Sequence, residues 1–548
     1  MSNAATSQPG SNFETSYPRT RRQGPGSTNL HLRVLWLPTR APPHIPREDA
    51  LGQNPPKVGE TSLAETGESN QTKSSQGLPL GSQASTSGLA ALTPLWVTYY
   101  NFFGIRWKKI KEAHASLGSV VRISPNHLSF SDPRAYKDIY GHGAKIVKDD
   151  FYSHMAGDTP NMADTVDPAD HARKRKYFSA VFSAKNVGML EPRVQICVQK
   201  LIQCLKLKSQ GQKVADTDRF EVRRDVSFDV RPWLNMFTFD AISSMMWSDS
   251  FGFLDCGDDT CISQSDDGNK KTVNAMETFG HGVWFAVFSA HLPLWAYKAI
   301  NYLASGLKRG QASGDFGNMA RYKTMQRIES TPEEPDIFSQ FPLQTDKKGR
   351  PPLPMWEIIA ESTIMMNAGN DTTQTTLTNN IMILATHPDI QTKLRLVLLS
   401  GVPKEEQPVA SYATLSQIPY LRAVLDETFR VLTPQRFGLP RRTVVISTIA
   451  VYSQRLGKWI PERWLADNPD FSAEERRNLK DFFMPFTAGT RACIGRNLAY
   501  MEVSIALAAL VMAFEWKMAD GPLEKNFGQF ERITSNPTFL NVKAKPLM

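Results

Sequence analysis

The chain has 548 residues, of which 41% are hydrophobic and 21% are charged. These fractions match those of ordinary globular proteins, so the chain as a whole is not disordered. Lys and Arg outnumber Asp and Glu by 63 to 54, but the basic residues form no long block, so the net charge of +9 does not favour a nucleic-acid-binding protein. Five cysteines are too few for a disulfide-stabilised scaffold and favour a reducing compartment.

Two regions of different composition follow one another along the chain. Residues 1–88 are rich in Ser, Thr, Gln, Gly and Pro, and we expect them to be a disordered, low-complexity segment. No run of 18 or more apolar residues occurs, so no membrane-anchor helix is predicted. Apolar residues recur periodically after this segment, and residues 89–548 are predicted to form one mainly α-helical domain with small β-sheets.

Start and stop signals locate several elements of this domain. Residues 120–132 predict two short strands around a Pro-Asn turn. The aromatic stretch 283–297 is compatible with core, with the roof of a substrate channel or with a membrane-facing surface, and core is favoured. Helices are predicted over residues 171–183, 356–385, 420–432 and 496 to about 514.

The strongest chemical signal is the segment FTAGTRACIG, which carries Phe486, Gly489, Arg491, Cys493 and Gly495. Cys493 lies just ahead of a predicted helix, whose N-terminal amides favour a thiolate over a thiol. The two glycines let backbone approach a flat ligand, and the arginine can bond to a carboxylate on that ligand. A thiolate presented in this way is a ligand for haem iron. The alternative, a buried structural cysteine in a turn, leaves the other four residues unexplained.

A second signal lies inside the long predicted helix, where Ala368, Asp371 and Thr372 are spaced to share a face. Gly369 in a helix interior is unfavourable by about 1 kcal/mol relative to alanine, and we expect it to leave room for a small molecule beside the helix. An acid next to an alcohol can relay protons to such a molecule. The alternative is a solvated polar face, or hydroxyl groups bonded back to the helix.

The segment around Cys493 resembles the cysteine loop of the cytochrome P450 haem-thiolate monooxygenases, and the resemblance extends from about residue 90 to 540. It implies the cytochrome P450 fold, with haem b as cofactor and Cys493 as the axial ligand of the iron. It also implies that Ala368 and Gly369 border the oxygen pocket, that Thr372 holds oxygen and its water, and that Asp371 supplies protons.

The same resemblance assigns supporting residues. Glu427 and Arg430 form an i, i+3 pair that is weak on its own, and in the family such a pair gains a second arginine, which here is Arg463. This group is expected to support the loop behind the haem without a catalytic role. His171, Arg175 and Arg441 are candidates for binding the haem carboxylates. Lys174 and Lys176 are expected to meet solvent or an acidic electron-donor protein.

The sequence departs from the family pattern between Arg442 and Lys458. Only residues 443–457 lie in this interval, which is too short for the short helix and strands that the family places there. Either the chain lacks part of this sheet region, which forms one wall of the substrate pocket, or a coding segment has been lost. The start of the chain also departs from eukaryotic relatives, which begin with a membrane anchor.

The resemblance implies a monooxygenase that inserts one oxygen atom from O2 into a small apolar substrate, most like filamentous-fungal enzymes of secondary metabolism. Electrons are expected from NADPH through a separate cytochrome P450 reductase, because no dinucleotide-binding motif is present. Location stays open between the surface of the endoplasmic reticulum and the cytoplasm. The alternative function is a haem-binding protein that is catalytically impaired by the shortened segment. Binding to nucleic acid is not expected.

Overall fold

A computed structural model describes residues 85–86, 88–157, 159–345, 349, 351–436, 438–442, 445–446 and 459–548. Most of the segment predicted to be disordered therefore lies outside the described residues. The first described strand, Ser85–Thr86, precedes the predicted domain boundary at residue 88. The first helix begins at this boundary, at Gly88.

Helices dominate the described part of the chain. They are α1 Gly88–Leu92, α2 Leu95–Phe102, α3 Arg106–Leu117, α4 Pro133–Tyr140, α5 Phe151–Ala156, α6 Pro168–Phe178, α7 Ala184–Gly188, α8 Glu191–Ser209, α9 Arg231–Trp247, α10 Phe253–Cys256, α11 Ala275–Ala290, α12 Leu294–Ala304, α13 Lys308–Ile328, α14 Met355–Thr386, α15 Pro388–Gly401, α16 Tyr412–Ser416, α17 Pro419–Val431, α18 Ala473–Phe482, α19 Arg496–Ala513 and α20 Leu523–Asn526.

The strands form small sheets beside the helices. They are β1 Ser85–Thr86, β2 Val120–Ser124, β3 His127–Phe130, β4 Phe228–Asp229, β5 Thr260–Gln264, β6 Lys270–Asn274, β7 Val445–Ile446, β8 Phe514–Met518, β9 Phe527–Glu531 and β10 Ser535–Pro546. One sheet has the order β1-β2-β3-β7, a second has the order β4-β10-β8 with β9 also paired to β10, and β5 and β6 form a hairpin. The predicted fold class, mainly α with small β-sheets, is confirmed.

Proline residues set the limits of the helices that carry the site. Asp167 accepts a hydrogen bond from the backbone of Ala169 and so caps α6, with Pro168 in the first turn. α14 begins after Pro354 and ends two residues before Pro388, close to its predicted bounds.

The core is centred on α19, which is buried along almost its whole length because it is apolar on every side. It packs against α8, α14 and α15. Among the described residues, α19 is the one helix long and apolar enough to cross a membrane by length and composition, and 83% of it is buried in the core.

The aromatic stretch 283–297 divides between two environments. Val287 and Ala290, at the end of α11, are buried, as the favoured core assignment predicts. Pro293 precedes a new helix, α12, which lies on the surface and leaves 75% of Trp295 exposed. The core prediction is therefore wrong for Leu294 and Trp295, because the break at Pro293 redirects the chain.

Part of the shortened interval between Arg442 and Lys458 is described. β7 runs parallel to β3, with Val445 beside Ser129 and Ile446 beside Phe130. Residues 443–444 and 447–458 lie outside the described residues. The prediction that part of the sheet region is missing from this interval therefore also concerns residues outside the described part of the chain.

Candidate haem-thiolate site

Cys493 lies at the end of a tight loop that leads into α19. The backbone N–H of Cys493 donates to the carbonyl of Phe486 at 2.9 Å, which closes the loop. Gly495 is the N-cap residue of α19, two positions after the cysteine. The ring of Phe486 packs against Phe429 and Tyr500, with centroids 5.3 and 5.2 Å away, so the loop is anchored to α17 and α19.

The surroundings of the Cys493 thiol have opposing effects on its pKa. Burial raises the pKa, whereas the backbone N–H of Gly495 and the charges of Arg175 and Arg496 lower it. The side chain nevertheless has accessible surface, a combination typical of a group that faces an enclosed cavity. Burial has the largest effect and the pKa is raised overall, so the thiol is favoured over the thiolate that the helix N-terminus predicts, and a bound metal ion would be needed to deprotonate it.

The two glycines of the loop have different protein neighbours. Gly489 has a φ of +71°, and a Cβ there would collide with the backbone of Tyr140 and Gly141. This glycine is therefore required by the packing of the loop on the end of α4, a reason that adds to the predicted approach to a flat ligand. A Cβ on Gly495 would lie 4.0 Å from the sulfur of Cys493.

Basic side chains from three segments converge beside this loop. Arg175 of α6 donates from Nη1 to the carbonyl of Ala492 at 2.7 Å, next to Cys493. Arg491 donates to the carbonyls of Thr165 and Val166 at 2.7 and 3.1 Å. His171 and Arg441 are buried, and the guanidinium of Arg441 lies 4.7 Å from the ring centre of Tyr140.

Sequence reasoning missed a further cation of this group, Lys148. Its backbone forms an antiparallel bridge with Arg441, and its ammonium lies 4.0 Å from the ring centre of Tyr152. No local pattern marks this lysine, because its neighbours in the site are far away in the sequence.

These cations lower one another's pKa values. The pKa of His171 falls to about 4 through burial and the charges of Arg491, Arg175 and Lys148. Burial and Arg441 lower the pKa of Arg491 to about 10. The pKa of Lys148 falls to about 7 through burial, opposed by Asp164, with Arg441 and Arg491 lowering it further.

Haem b fits this set of donors. A buried group of like charges is unfavourable unless anions balance it, and the two carboxylates of haem would supply them beside Arg175, Arg441 and Arg491. The same guanidinium that would meet a carboxylate, Arg175, is bonded to the residue before Cys493. Arg175 therefore links the loop that carries Cys493 to the group of cations.

One of the two lysines of α6 that were expected to meet solvent is buried. Lys174 was expected to meet solvent, but it is buried and lies 2.6 Å from Glu357 and 3.2 Å from Glu361 of α14. The prediction for Lys174 is wrong because two acidic residues of α14, Glu357 and Glu361, bind its ammonium in the interior. Lys176 is exposed, as predicted.

The acid and alcohol of α14 make their hydrogen bonds in different directions. Thr372 donates from Oγ1 to the carbonyl of Ala368 at 2.8 Å. Asp371 is buried, and its two carboxylate oxygens accept from Thr534 of the β9–β10 turn and from Asn536 of β10. Burial raises the pKa of Asp371, opposed by the Thr534 hydrogen bond and by the charges of Arg532 and Arg231.

Gly369 does not leave open space in the described structure. A Cβ there would lie 2.8 Å from Cδ1 of Ile242 on α9, so the glycine allows two helices to cross closely. The predicted reason for this glycine, room for a small molecule, is corrected accordingly. Ala368, one position earlier, is exposed on the other side of the crossing.

Glu427, Arg430 and Arg463 meet in a fully bonded, buried group. Arg430 makes two bonds of 2.7 Å to the carboxylate of Glu427, and Arg463 adds one of 3.0 Å. The indole of Trp464 and the backbone N–H of Ile460 donate to the same carboxylate. The group fastens the Pro461–Trp464 turn to α17, some distance along the chain from the loop of Cys493.

An apolar cluster brings together residues from segments that are distant in the sequence. Phe151 and Tyr152 of α5 pack with Val287 and Ala290 of α11. Partly buried apolar residues of other segments lie against them: Met155, Val166, Val283, Leu439 and Ile533. The cluster adjoins the cationic group, since Tyr152 also contacts Lys148 and Val166 accepts from Arg491.

The fold and this site fit a haem-binding protein, and comparison with known proteins gives the family. The family model for cytochrome P450 matches residues 91–452 and 457–542. The chain belongs to the cytochrome P450 family and is a cytochrome P450 monooxygenase.

Curated relatives and a solved structure agree with this membership. The chain is 29% identical to benzoate 4-monooxygenase bphA of Aspergillus niger over 476 residues, which cover 80% of this chain and 89% of the relative. It is also 29% identical to cytochrome P450 monooxygenase hepC of Aspergillus oryzae, covering 80% and 88%. A crystal structure of the cytochrome P450 CYP102L1 superposes with a TM-score of 0.63 at 17% identity, covering 86% of this chain and all of the other, and supports the fold.

Proposed function

We propose that this protein hydroxylates a small, largely apolar organic substrate in fungal secondary metabolism, with electrons from NADPH delivered by a separate cytochrome P450 reductase. In the overall reaction one atom of O2 enters a C–H bond as a hydroxyl group, and the other leaves as water after two electrons and two protons are taken up. The observation that carries the proposal is the bond from Arg175 to the carbonyl of Ala492, because it ties the cationic group to the loop of Cys493.

In this proposal the protein's side chains hold the cofactor from two sides. Cys493 is the iron ligand, and Arg175, Arg441 and Arg491 neutralise the haem carboxylates, with His171 beside them. When bound, haem supplies the activation of O2. Phe486 and Gly489 fix the loop so that the sulfur is presented in one orientation, and Gly495 directs its N–H toward the sulfur.

Proton delivery is assigned to α14. Thr372 is proposed to orient water with its hydroxyl, which the carbonyl of Ala368 already holds at 2.8 Å. Asp371 is proposed as the acid that replenishes protons, with its carboxylate positioned by Thr534 and Asn536. Burial raises the pKa of Asp371 and so favours its protonated form, whereas the donors around the carboxylate favour release of the proton.

The apolar cluster of Phe151, Tyr152, Val287 and Ala290 is proposed as the wall of the substrate site. Apolar side chains that converge from α5, α11 and the β9–β10 turn exclude water and favour hydrocarbon groups. The relative from Aspergillus niger is named as a benzoate 4-monooxygenase, which supports a small aromatic substrate.

Isotope labelling tests the proposed reaction. The haem-loaded protein, NADPH and a purified fungal reductase would be incubated under ¹⁸O2 with benzoate, methyl benzoate or toluene as probes. The proposal predicts one ¹⁸O atom in the product and NADPH consumption that depends on the probe. A thiolate-ligated protein that consumes NADPH only to release peroxide, with every probe unchanged, would support the catalytically impaired alternative.

We propose that the protein associates with a phospholipid surface through α1, α2 and α12. Leu92 is 82% exposed, Trp295 75% and Tyr302 77%, and such mixed aromatic and aliphatic side chains are typical of membrane interfaces. α2 and α12 are neighbours of the same helix, α11. Vesicle sedimentation should show binding that is lost when Trp295 and Tyr302 are both changed to Ser, and unchanged binding in that variant would contradict the proposal.

A further inference from the structure

Arg532 occupies the turn between β9 and β10 at the edge of the apolar cluster. Its neighbour Ile533 packs against that cluster. The backbone N–H of Arg532 donates to the carbonyl of Thr534 at 2.9 Å, which tightens the turn. Because Thr534 also bonds to Asp371, the turn is held against the part of α14 to which we assign proton delivery.

The guanidinium of Arg532 lies on the face of α11 that forms the cluster. A Cβ on Gly280 would be 3.1 Å from Nη2 of Arg532, so the guanidinium rests where α11 has no side chain. Gly280, Val283, Val287 and Ala290 recur at helical spacing on one face of α11. The guanidinium of Arg532 therefore lies beside Gly280, about one turn of α11 before the apolar residues that begin at Val283.

This guanidinium lacks a carboxylate partner among the described residues. Its Nε is buried without a hydrogen bond there, and burial together with the charge of Arg231 lowers the pKa of Arg532 to about 10. The adjacent acid, Glu531, is engaged by Arg106 and by the backbone of Trp107.

Charges of both signs surround Arg532. Arg231 repels its guanidinium and Asp371 attracts it, while Asp229 and Asp259 also lie near Arg231 and His281 of α11 lies within the field of Arg532. The carboxylate oxygens of Asp371 accept from Thr534 and Asn536, and no hydrogen bond joins Asp371 to Arg532 among the described residues. A buried arginine in such surroundings is stabilised by an anion that binds beside it.

We infer that Arg532 binds the carboxylate of an aromatic acid whose ring lies against Ile533 and the apolar face of α11. This inference rests on the proposed function and narrows its substrate class from apolar molecules to aromatic carboxylates. Arg532 is thereby a residue that determines specificity, since it holds one end of the substrate and leaves the remote ring carbon for hydroxylation.

Calorimetric titration of the haem-loaded protein tests this assignment without turnover. The probes are benzoate and methyl benzoate, which differ in charge and share the ring. We expect the wild type to bind benzoate more tightly than the ester. Arg532→Gln should weaken benzoate binding roughly tenfold or more and leave the ester unchanged, whereas Arg532→Lys should retain part of the benzoate affinity.

Arg309→Gln is the matched control, because Arg309 is an exposed arginine whose guanidinium lies 5.7 Å from the ring of Trp284 on α11. It should bind both probes as the wild type does. Equal loss of both probes in Arg532→Gln, no loss of benzoate in that variant, or a wild type that does not bind benzoate would each overturn the inference. In each of those cases, a wild-type protein that shows thiolate ligation and binds the ester would leave the proposed monooxygenase function standing. A wild-type protein without thiolate ligation would overturn both the inference and the proposed function.

Discussion

The carboxylate of Asp371 on α14 is hydrogen-bonded to the side-chain amide of Asn536 on β10, 165 residues later in the sequence. Thr534 donates to the other carboxylate oxygen. The acid assigned to proton delivery is thus positioned by the C-terminal strands, and the neighbouring Thr372 bonds to its own helix. Proton supply is accordingly expected to depend on residues outside the helix.

Asp371→Asn should lower the rate of product formation roughly a hundredfold, because the amide cannot transfer a proton as the acid does. The solvent isotope effect on product formation should rise at the same time. Asp467→Asn, at an exposed position, is the control and should leave both measurements unchanged. A rate within twofold of wild type would remove Asp371 from the proposed role.

Thr534→Val should shift the pH profile of the same reaction to higher pH. The hydroxyl of Thr534 lowers the pKa of Asp371, so its removal keeps the carboxyl protonated to higher pH. Because the protonated form supplies the proton, the falling limb of the rate moves upward in pH. An unshifted profile would show that Asp371 does not control the rate in this range.

Arg175→Gln should speed the loss of haem from the ferric protein by about tenfold, measured by transfer to an excess of apomyoglobin. The substitution removes both a charge for a haem carboxylate and the bond to Ala492 beside the iron ligand. Lys176→Gln changes an exposed cation on the same helix and should not alter the rate. Equal rates for both variants would contradict the assignment of Arg175.

Glu427→Gln should reduce the free energy of unfolding of the haem-loaded protein by about 3–5 kcal/mol, because it leaves two buried arginines without their anion. Denaturant titration would measure this change. Glu112→Gln removes an exposed ion pair in which the carboxylate lies 2.6 Å from the ammonium of Lys109. This substitution should change the free energy of unfolding by less than about 1 kcal/mol. A small effect at Glu427 would mean that Arg430 and Arg463 are paired elsewhere.

Glu502 of α19 gives a prediction for stability against pH. Burial raises its pKa to about 8, opposed by a hydrogen bond from Thr373, whereas a carboxyl in an unfolded chain titrates near about 4.3. The folded protein therefore holds a proton that the unfolded chain has released. Stability from this group is complete below about pH 4.3 and is lost as the pH rises to about 8.

Glu502→Gln should gain stability relative to wild type over this interval, by up to about 1.4 kcal/mol for each pH unit. Thermal unfolding of the two proteins between pH 5 and 8 measures the difference, and Glu524→Gln, at an exposed position, should show none. A difference that is constant with pH would show that Glu502 keeps its ordinary titration.

The local features of this fold follow from the sequence because their causes are local. The bounds of α14 and α17 are set by prolines, and the pair of Glu427 and Arg430 needs only three residues of helix. The segment ahead of α19 indicates a haem ligand because its five marked residues, of four types, have the spacing of the family's cysteine loop.

The rest of the site depends on tertiary contacts. Lys148 meets Arg441, and Asp371 meets Asn536, across long stretches of chain that no local pattern connects. Gly369 shows the same limit, since a helical glycine can serve a ligand or a helix crossing. The position of Ile242 identifies the crossing.

The central claim is that the sulfur of Cys493 is the iron ligand. The difference spectrum of the reduced protein with carbon monoxide measures this most directly, with Cys493→Ser as the variant and Cys256→Ser, at an exposed cysteine, as the control. We predict the long-wavelength Soret band of thiolate ligation in wild type and in Cys256→Ser, and its loss in Cys493→Ser. A folded wild-type protein that takes up haem without this band, or a Cys493→Ser variant that keeps it, would contradict the account.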